Sequence, residues 1–557
     1  MIETIVFVVL LLILAPLLGR WLMFIFEGKP TYLYPVFGPV ERGIYRLAGI
    51  DPFEEMDWKK YLKALLLFNL IGFLVLFFIL IFQGFLPLNP QHFPGIPLDL
   101  AFNTAASFVT NTNWQAYAGE TTLSYASQMF GLTVQNFLSA ATGFCTLLVF
   151  NRGIIRKTGQ TIGNFWADLI RSILYVLLPL SFIFAIFLMG EGVIQTFAPY
   201  QTITTLEGYE QTIPLGPVAS QEAIKQLGSN GGGFFNANSA HPFENPTPLT
   251  NFFETLAIVL LPAALVLMYG EESKVKRHGW LLLLVMLFFW LVGLSLAAFS
   301  STVHNPILPA SPVLEGIETR FGMKETLLWT VSTTGTSNGS VNSMLDSLPP
   351  LIGGIALFNM MLGELIFGGV GTGLCSMLMF VLLTVFLAGL MVGRTPEYRG
   401  KKIERKEILL VMIAALVPAA CISLGSGGAL ALPKALESVN AKGPHGLTEM
   451  VYAFTSTAVN NGSSFAGMKA NTPFFNLLLG TIMIICRLAI IIPSLAIAGS
   501  LVLKKVTPVS RGTFSTESLL FAILLIGVIF IFGALTYFPA LCLGPLMEHL
   551  LMLRGGV

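Results

Sequence analysis

The stretch Ser229-Asn230-Gly231-Gly232-Gly233 is a short run of small polar residues and glycines within a strongly apolar chain. Three other connections between apolar segments carry a related element, and these read Thr110-Asn111-Thr112-Asn113, Ser337-Asn338-Gly339-Ser340 and Asn460-Asn461-Gly462-Ser463. The asparagines that align in the four elements follow one another at separations of 119, 108 and 123 residues. Repetition at this spacing indicates four copies of one structural unit.

The composition places most of the chain in a membrane. Of its 557 residues, 54% are hydrophobic and only 11% are charged, whereas soluble domains carry roughly 25% charged residues. A helix needs about 20 apolar residues to cross the hydrocarbon core of a bilayer. Such segments are predicted at 5–26, 64–82, 129–150, 172–189, 252–268, 280–299, 351–392, 408–424, 474–502 and 519–538. The net charge of +1 provides no basic surface for nucleic acid, so none is expected as a partner.

The positions of lysine and arginine predict how these segments are oriented. Connections after the odd-numbered segments contain 21 of these residues, with Lys63 counted at the edge of the second segment, whereas the other connections and the C-terminal tail contain 7. Cytoplasmic connections carry the excess of cations in membrane proteins. Both chain termini are therefore expected outside the cytoplasm.

We predict an all-α polytopic membrane protein with ten transmembrane helices. Eight of them form four units in a pseudo-fourfold arrangement, each unit composed of a span, a short pore helix, a polar element and a second span. The pore helices are expected at 98–109, 219–227, 324–334 and 447–459. The units are assigned to 61–157, 158–277, 278–406 and 407–506, between an N-terminal span and cytoplasmic connection at 1–60 and a C-terminal span at 507–557.

The four polar elements are interpreted as an ion filter. A cation that crosses hydrocarbon must exchange its hydration shell for oxygen ligands, and converging loops can supply them as backbone carbonyls. Glycine permits the strained conformations and close approach that such loops need. The predicted filter residues are Thr110, Asn111, Thr112, Asn113, Ser229, Asn230, Gly231, Gly232, Ser337, Asn338, Gly339, Asn460, Asn461 and Gly462.

Two features qualify this interpretation. Asn-Gly and Ser-Asn pairs most commonly make simple loop turns, although four occurrences between spans favour a shared function. The first element has Thr112 where the others have Gly231, Gly339 and Gly462. The filter therefore cannot be fourfold identical.

A buried charged pair is predicted below the filter. Glu364 is the only charged residue of the seventh segment and Arg487 the only one of the ninth. Both lie 26 residues after the aligned asparagine of their unit, so we expect them at similar depth, joined by a salt bridge. Such a pair either serves the function of the protein or is a purely structural ion pair that fixes how the helices pack.

The seventh segment is twice as long as one straight span requires. Gly368-Gly369-Val370-Gly371-Thr372-Gly373 places four glycines in six residues, which is expected to break the helix there. Gly368, Gly369, Gly371 and Gly373 are predicted to form a gate together with Glu364 and Arg487. Tight helix packing is the alternative use of such small residues.

Several motifs make the chain resemble the KdpA family, the potassium-transporting A subunits of bacterial Kdp ATPases, which are related to the Trk, Ktr and HKT potassium transporters. The motifs are Gly38-Pro39-Val40-Glu41-Arg42, Asn111-Thr112-Asn113-Trp114-Gln115, Ser229-Asn230-Gly231-Gly232-Gly233-Phe234 and Gly393-Arg394-Thr395-Pro396-Glu397-Tyr398. The resemblance covers essentially the whole chain.

The resemblance implies a K⁺-selecting subunit in a bacterial inner membrane, with Gln115 and Phe234 at the mouth of the pore. K⁺ would be the transported ion and the filter the only metal site, with no covalent cofactor. A KdpB-like P-type ATPase subunit would hydrolyse ATP and receive the ion through an intramembrane tunnel. A KdpC-like single-span subunit and a small KdpF-like single-span peptide would complete the assembly within the lipid bilayer.

Two other functions compete with that of a pump subunit. A self-sufficient Trk-like or channel-like transporter would gate conduction at the glycine-rich break itself. A membrane-embedded hydrolase would use Ser337 as a nucleophile, but no general base accompanies it in the sequence. We therefore predict no catalytic residue in this chain.

Overall fold

The computed structural model describes residues 2–29, 31–157, 159–306, 314–508 and 514–555. Residue 158, which begins the predicted second unit, lies outside the described residues. The described chain is mostly helical, and ten of its helices are long and apolar enough to cross a membrane. The prediction of ten spans in a multi-pass membrane protein is confirmed.

The longer helices follow one another along the chain and are numbered in that order. They are α1 (Ile2–Phe26), α2 (Tyr34–Ala48), α3 (Trp58–Ile81), α4 (Leu98–Val109), α5 (Ser127–Ile155), α6 (Phe165–Gly190), α7 (Val218–Leu227), α8 (Pro248–Glu272), α9 (Lys276–Ser300), α10 (Gly322–Gly335), α11 (Pro350–Met361), α12 (Thr372–Met391), α13 (Arg405–Leu430), α14 (Gly443–Ala458), α15 (Pro473–Val502) and α16 (Leu519–Leu553). Short helical turns at Gln83–Phe85, Gly119–Thr122, Asn238–Ala240, Leu345–Ser347 and Pro433–Leu436 lie in the connections.

Several spans begin earlier than the apolar pattern indicates, because polar residues cap them. Asp57 accepts a hydrogen bond from the backbone N–H of Lys60 and starts α3 six residues before the apolar run. Asn164 likewise accepts from the N–H groups of Trp166 and Ala167 at the start of α6. Capping side chains satisfy backbone donors that have no partner within the helix, so these helices extend past their apolar parts.

The spans divide into central and peripheral helices. In α5 and α8, 83% of the most apolar stretch is buried inside the protein, compared with 22% in α1, α13 and α16. The peripheral helices therefore present apolar side chains outward, as lipid requires. Asn136 of the central helix α5 accepts a hydrogen bond from Asn113, so this helix lies directly against the first polar element.

The seventh segment is broken, as predicted, but over a wider region. Helix α11 ends at Met361 and α12 begins at Thr372, and the ten residues between them are irregular. Gly363, Glu364 and Phe367 within this region have φ of +72°, +62° and +66°, which no helix can contain. The break therefore begins before Gly368, the first of the predicted gate glycines, and it includes the buried Glu364.

Two small antiparallel hairpins were not predicted from the sequence. Strands β1 (Gln201–Thr204) and β2 (Glu210–Ile213) form an exposed hairpin in the connection before α7. Strands β3 (Glu397–Tyr398) and β4 (Lys401–Lys402) pair between α12 and α13. The buried Tyr398 hydroxyl contacts the Tyr269 hydroxyl at 2.6 Å, which ties this second hairpin to α8.

Candidate functional site

Four polar loops lie at the ends of four short helices. We name them L1 (110–113), L2 (229–233), L3 (337–340) and L4 (460–463), and they follow α4, α7, α10 and α14. Every residue of the four loops is buried. Each loop thus lies at a helix C-terminus, where the helix dipole provides negative potential.

Loops L1 and L2 are joined by side-chain amides. Asn111 donates its Nδ2 to the backbone oxygen of Ser229 at 2.8 Å, and Asn113 donates to the oxygen of Gly231 at 2.9 Å. Asn230 of L2 returns the contact, since its amide lies within hydrogen-bond distance of the Asn111 side-chain oxygen. Asparagine side chains therefore join the two neighbouring loops by hydrogen bonds.

The same kind of contact continues around the other loops. Asn338 of L3 donates to the backbone oxygen of Lys225 at 3.1 Å, at the end of α7. Asn461 of L4 donates to the backbone oxygen of Thr336 at 2.8 Å, immediately before L3. Asn460 donates to the Oγ1 of Thr112 at 2.9 Å. Because L4 contacts L1 in this way, the four loops form a closed ring.

Three glycines occupy the equivalent position of this ring. Gly231, Gly339 and Gly462 have φ of +77°, +79° and +89°. A Cβ at these positions would lie 1.4, 2.0 and 1.8 Å from a backbone oxygen of the next loop. No side chain fits at such distances, so the ring in this form requires glycine at all three positions.

Loop L1 reaches its place with a different backbone. Thr112 replaces the glycine, and the positive φ values fall instead on Asn111 (+63°) and Asn113 (+56°). Asparagine tolerates the left-handed region of positive φ better than a β-branched residue such as threonine does. The Thr112 hydroxyl also contacts that of Thr110 at 2.7 Å. The ring is therefore not fourfold identical, in agreement with the sequence.

The loops contain buried oxygens without a hydrogen-bond partner. In the described part of the chain, these are the Oδ1 atoms of Asn113, Asn230 and Asn460 and the Oγ of Ser337. Buried polar atoms are almost always hydrogen-bonded in folded proteins. Four such atoms in four adjoining loops therefore provide acceptors that a cation or water can satisfy.

A cavity of about 860 Å³ opens above the ring, and residues of all four loops line it, including Asn113, Gly232, Gly339 and Gly462. Gln115 also lines this cavity and forms two hydrogen bonds of 2.9 Å with the backbone of Gly233. The cavity provides direct access to the ring.

Phe234 has a different place from the predicted one. It is buried, packs against Phe235 with ring centroids 5.1 Å apart, and is not among the residues that line the cavity. Its apolar ring is better accommodated in this aromatic cluster than at a polar opening. Of the two residues predicted at the mouth of the pore, Gln115 lines the cavity above the ring and Phe234 does not.

The break between α11 and α12 packs beneath the ring. The backbone N–H of Gly368 donates to the oxygen of Gly335, at the end of the helix that leads into L3. A Cβ on Gly369 would lie 3.2 Å from the side chain of Ser337. The Val370 backbone oxygen in turn lies against Gly143 of α5. Of the predicted gate glycines, Gly369 is thus brought directly against L3, and Gly368 contacts the end of the helix that precedes it.

The predicted salt bridge between Glu364 and Arg487 is not formed. Glu364 accepts a long hydrogen bond of 3.4 Å from the Gly369 N–H, and its Oε1 has no hydrogen-bond partner in the described chain. Arg487 donates to the Oγ1 of Thr372 at 3.3 Å. Both side chains are buried, and the irregular backbone around Glu364 directs the carboxylate to the glycines instead of the guanidinium.

A family model described as the potassium-transporting ATPase A subunit, KdpA, matches residues 5–550. The chain belongs to this family.

Relatives of the chain are similar over nearly their full lengths. Proteins named potassium-transporting ATPase potassium-binding subunit are 53% identical in Pseudomonas fluorescens (98% of each chain covered) and 52% identical in Leptospira interrogans (100% of this chain and 99% of the relative). The crystal structure of the potassium transporter TrkH from Vibrio parahaemolyticus is similar at 15% identity with a TM-score of 0.51. That likeness covers 86% of this chain and 96% of TrkH, and it confirms the predicted all-α polytopic membrane fold.

Sequence reasoning missed a charged cluster behind the ring of this KdpA-family chain. The fully buried ammonium of Lys225 forms ion pairs with Glu222, at 2.5 Å, and with Glu244. Gln226 donates to Glu222 at 2.7 Å, and its Oε1 accepts from Asn338 at 3.1 Å and from Ser340 at 3.0 Å. Gln226 therefore connects the buried charges to L3.

The signal for this cluster was present in the sequence. Glu222 and Lys225 stand one helical turn apart inside a segment that was predicted to be a pore helix. Charged residues in a buried helix need partners. Their spacing indicates the first ion pair, although Glu244 could be found only from the fold.

Proposed function

We propose that this chain selects and carries K⁺ as the potassium-binding subunit of an ATP-driven uptake pump, with the ring of L1–L4 as its filter. The observation that carries the proposal is the closed ring of four buried loops at four helix C-termini. Membership in the potassium-transporting ATPase A subunit family supports K⁺ as the ion.

The geometry of the ring suits a cation of low charge density. Three glycines allow the backbones of neighbouring loops to come into direct contact. Asparagine side-chain amides donate hydrogen bonds to the backbone oxygens of Ser229, Lys225 and Thr336 in the neighbouring units. The unpartnered loop oxygens and the negative ends of four helix dipoles favour a positive charge at the centre. Oxygen ligands can replace the hydration shell of K⁺ without a formal negative charge.

The region between α11 and α12 is the proposed gate. This region lies against L3 and contains the buried Glu364. Arg487 donates a hydrogen bond to Thr372, the first residue after the region. A small cavity of about 40 Å³ adjoins Glu364 and is also lined by Val459 at the end of α14. A cation that leaves the ring on this side would meet the free oxygen of Glu364.

The rest of the assembly follows the family. We propose a bacterial inner-membrane location with both termini outside the cytoplasm, and four pore units with the boundaries predicted from the sequence. A KdpB-like P-type ATPase subunit would hydrolyse ATP, a KdpC-like single-span subunit would assist it, and a small KdpF-like peptide would complete the complex.

The test is ATP hydrolysis in complexes purified through a tag on this chain and titrated with K⁺ and then with Na⁺. We expect K⁺ to stimulate hydrolysis selectively, with an ATPase subunit co-purifying. A chain that purifies alone and conducts K⁺ in liposomes would overturn the pump-subunit proposal and support a self-sufficient transporter.

Two aspartate variants locate the filter in the same assay. Gly231→Asp places a carboxylate where a Cβ already meets the Asn338 oxygen at 1.4 Å, so K⁺ affinity and discrimination against Na⁺ should both fall. Gly208→Asp is the matched control, because Gly208 also has positive φ (+86°) but has no neighbouring atom within 4 Å. Equal behaviour of the two variants would remove L2 from the filter.

A further inference from the structure

A second cluster of metal-binding side chains lies outside the ring. Asp346 belongs to the turn after L3, and His445 and Glu449 stand one turn apart on α14. One ligand atom from each of the three residues lies within 4.8 Å of the other two. The cluster therefore joins segments from two different pore units.

The histidine is held between two carboxylates. Its Nε2 lies 2.7 Å from the Oδ1 of Asp346, and its Nδ1 lies 2.8 Å from the Oε1 of Glu548 on α16. A histidine that binds a metal through one nitrogen commonly donates its other N–H to a carboxylate, which fixes the orientation of the ring. Glu548 occupies that orienting position, and Nε2 faces the other acids.

Glu449 supplies an independent indication of a missing ligand. Its side chain is 1% exposed, and its Oε2 accepts from the backbone N–H groups of Asn440 and Ala441 at 3.1 and 3.2 Å. Its Oε1 has no hydrogen-bond partner among the described residues. Burying half of a carboxylate unsatisfied is costly unless a cation or donor occupies the site.

The cluster lies beside the large cavity. Gly467 lines that cavity, and a Cβ on Gly467 would lie 2.5 Å from the Oε1 of Glu449. Because the residue is glycine, no side chain separates the carboxylate oxygen from the cavity at this point.

The charge of the cluster also favours a cation. Three carboxylates, those of Asp346, Glu449 and Glu548, surround one imidazole. Within the described ranges, none of the three forms an ion pair with a lysine or arginine. The three acids thus outnumber the one basic group of the cluster, which favours a cation over an anion.

We propose that Asp346, His445 and Glu449 bind one divalent transition-metal ion of the zinc class, with Glu548 orienting the histidine. Mixed nitrogen and oxygen ligands of this kind suit zinc, whose ligands lie about 2.0–2.2 Å from the metal. The proposal concerns a site separate from the K⁺ filter and does not depend on the proposed function. A bound ion would connect the turn after L3, the helix that leads into L4, and the C-terminal helix.

A proton is the competing occupant of this site. The neighbouring carboxylates of Asp346 and Glu548 raise the pKa of His445 to about 10, so the imidazole is doubly protonated when no metal is bound. A metal must displace the proton from Nε2, since histidine ligates only through a deprotonated nitrogen. The assay therefore uses zinc in a buffer at about pH 8, where protons compete less strongly.

The experiment measures zinc content in the complex purified through a tag without histidines, after chelator treatment and equilibrium dialysis against zinc chloride. We expect one zinc per chain in the wild type, with loss of binding by about 100-fold or more in Glu449→Gln. Glu548→Gln should weaken binding about 10-fold to 100-fold, as expected for an orienting carboxylate. The exposed His304→Gln is the control and should bind as the wild type does.

X-ray absorption at the zinc edge of the wild type provides a measurement that does not depend on any variant folding. One nitrogen and at least two oxygen ligands at about 2.0–2.2 Å are expected. Less than about 0.1 zinc per wild-type chain would overturn the proposal and leave His445 as a protonated bridge. Unchanged zinc content in Glu449→Gln would overturn it as well, because the metal would then lie elsewhere.

Discussion

Replacing Gly339 by alanine tests whether contact between neighbouring loops determines K⁺ affinity. Gly339 has φ of +79°, and a Cβ there would lie 2.0 Å from the Asn461 oxygen and 2.7 Å from the Ser463 nitrogen. Both atoms belong to the backbone of L4, so they can move away only if the loop itself moves.

The expected cost has two parts. An L-residue in the left-handed region costs about 1–2 kcal/mol, and forcing an extra carbon into a packed site costs about 1–3 kcal/mol. Gly208→Ala separates them, because Gly208 has φ of +86° with no neighbouring atom within 4 Å. Only the second cost is specific to the ring. If this second cost of about 1–3 kcal/mol weakens K⁺ binding, it raises the half-maximal K⁺ concentration about 5-fold to 140-fold, since about 1.4 kcal/mol corresponds to tenfold.

The assay is K⁺-stimulated ATP hydrolysis by the assembled complex, with thermal unfolding of each variant measured alongside. Gly208→Ala should keep the wild-type K⁺ dependence, and Gly339→Ala should shift it to higher concentration while the complex stays assembled. A half-maximal concentration within twofold of the wild type for Gly339→Ala would refute the reasoning, because the L3–L4 contact would then not determine affinity.

Three further variants examine other contacts of the site and the fold. Gln226→Leu removes the link between the buried charges and L3 and should raise the half-maximal K⁺ concentration about 10-fold in the same assay, as the loss of a buried hydrogen-bond partner costs about 1–3 kcal/mol. Thr112→Val removes the acceptor for the Asn460 amide and should raise it about 5-fold, whereas Thr112→Ser should restore it. Asp168→Asn leaves Arg152 without its charged partner and should lower the free energy of unfolding by about 3–5 kcal/mol, seen as a lower thermal unfolding temperature.

Each of these outcomes can fail in a definite way. Wild-type K⁺ dependence in Gln226→Leu would show that L3 is held without the charged cluster. A loss in Thr112→Ser as large as that in Thr112→Val would show that the hydroxyl alone does not set the K⁺ dependence. An unfolding temperature for Asp168→Asn equal to that of the exposed hairpin variant Glu207→Gln would show that the buried pair does not stabilise the fold.

Much of the fold could be predicted from the sequence because it depends on local properties. The length of an apolar run decides whether a helix can span a bilayer, and the recurrence of the four polar elements indicated the order of span, short helix, loop and span that the structure has. The glycines after Glu364 correctly indicated a broken helix. Apolar runs do not reveal the polar caps that lengthen α3 and α6. They also do not reveal that the break begins as early as Leu362.

The candidate site was predicted as a set of positions but not as a set of contacts. The loops and their glycines were found, and Thr112 was recognised as different. The salt bridge of Glu364 with Arg487 was wrong, because equal spacing along two helices says nothing about which way an irregular backbone turns a carboxylate. The place of Phe234 also depends on packing, since its ring lies in an aromatic cluster and does not line the cavity above the ring.

The sequence by itself thus determined that this chain is a multi-pass helical membrane protein with four polar loops and one broken span. Only the tertiary structure decided that L4 returns to L1, that Gln226 reaches L3, and that Asp346 meets His445 and Glu449. These partners are up to 348 residues apart along the chain. A hydrogen bond or metal site depends on separations of a few ångströms, and such separations are set by how the helices pack together.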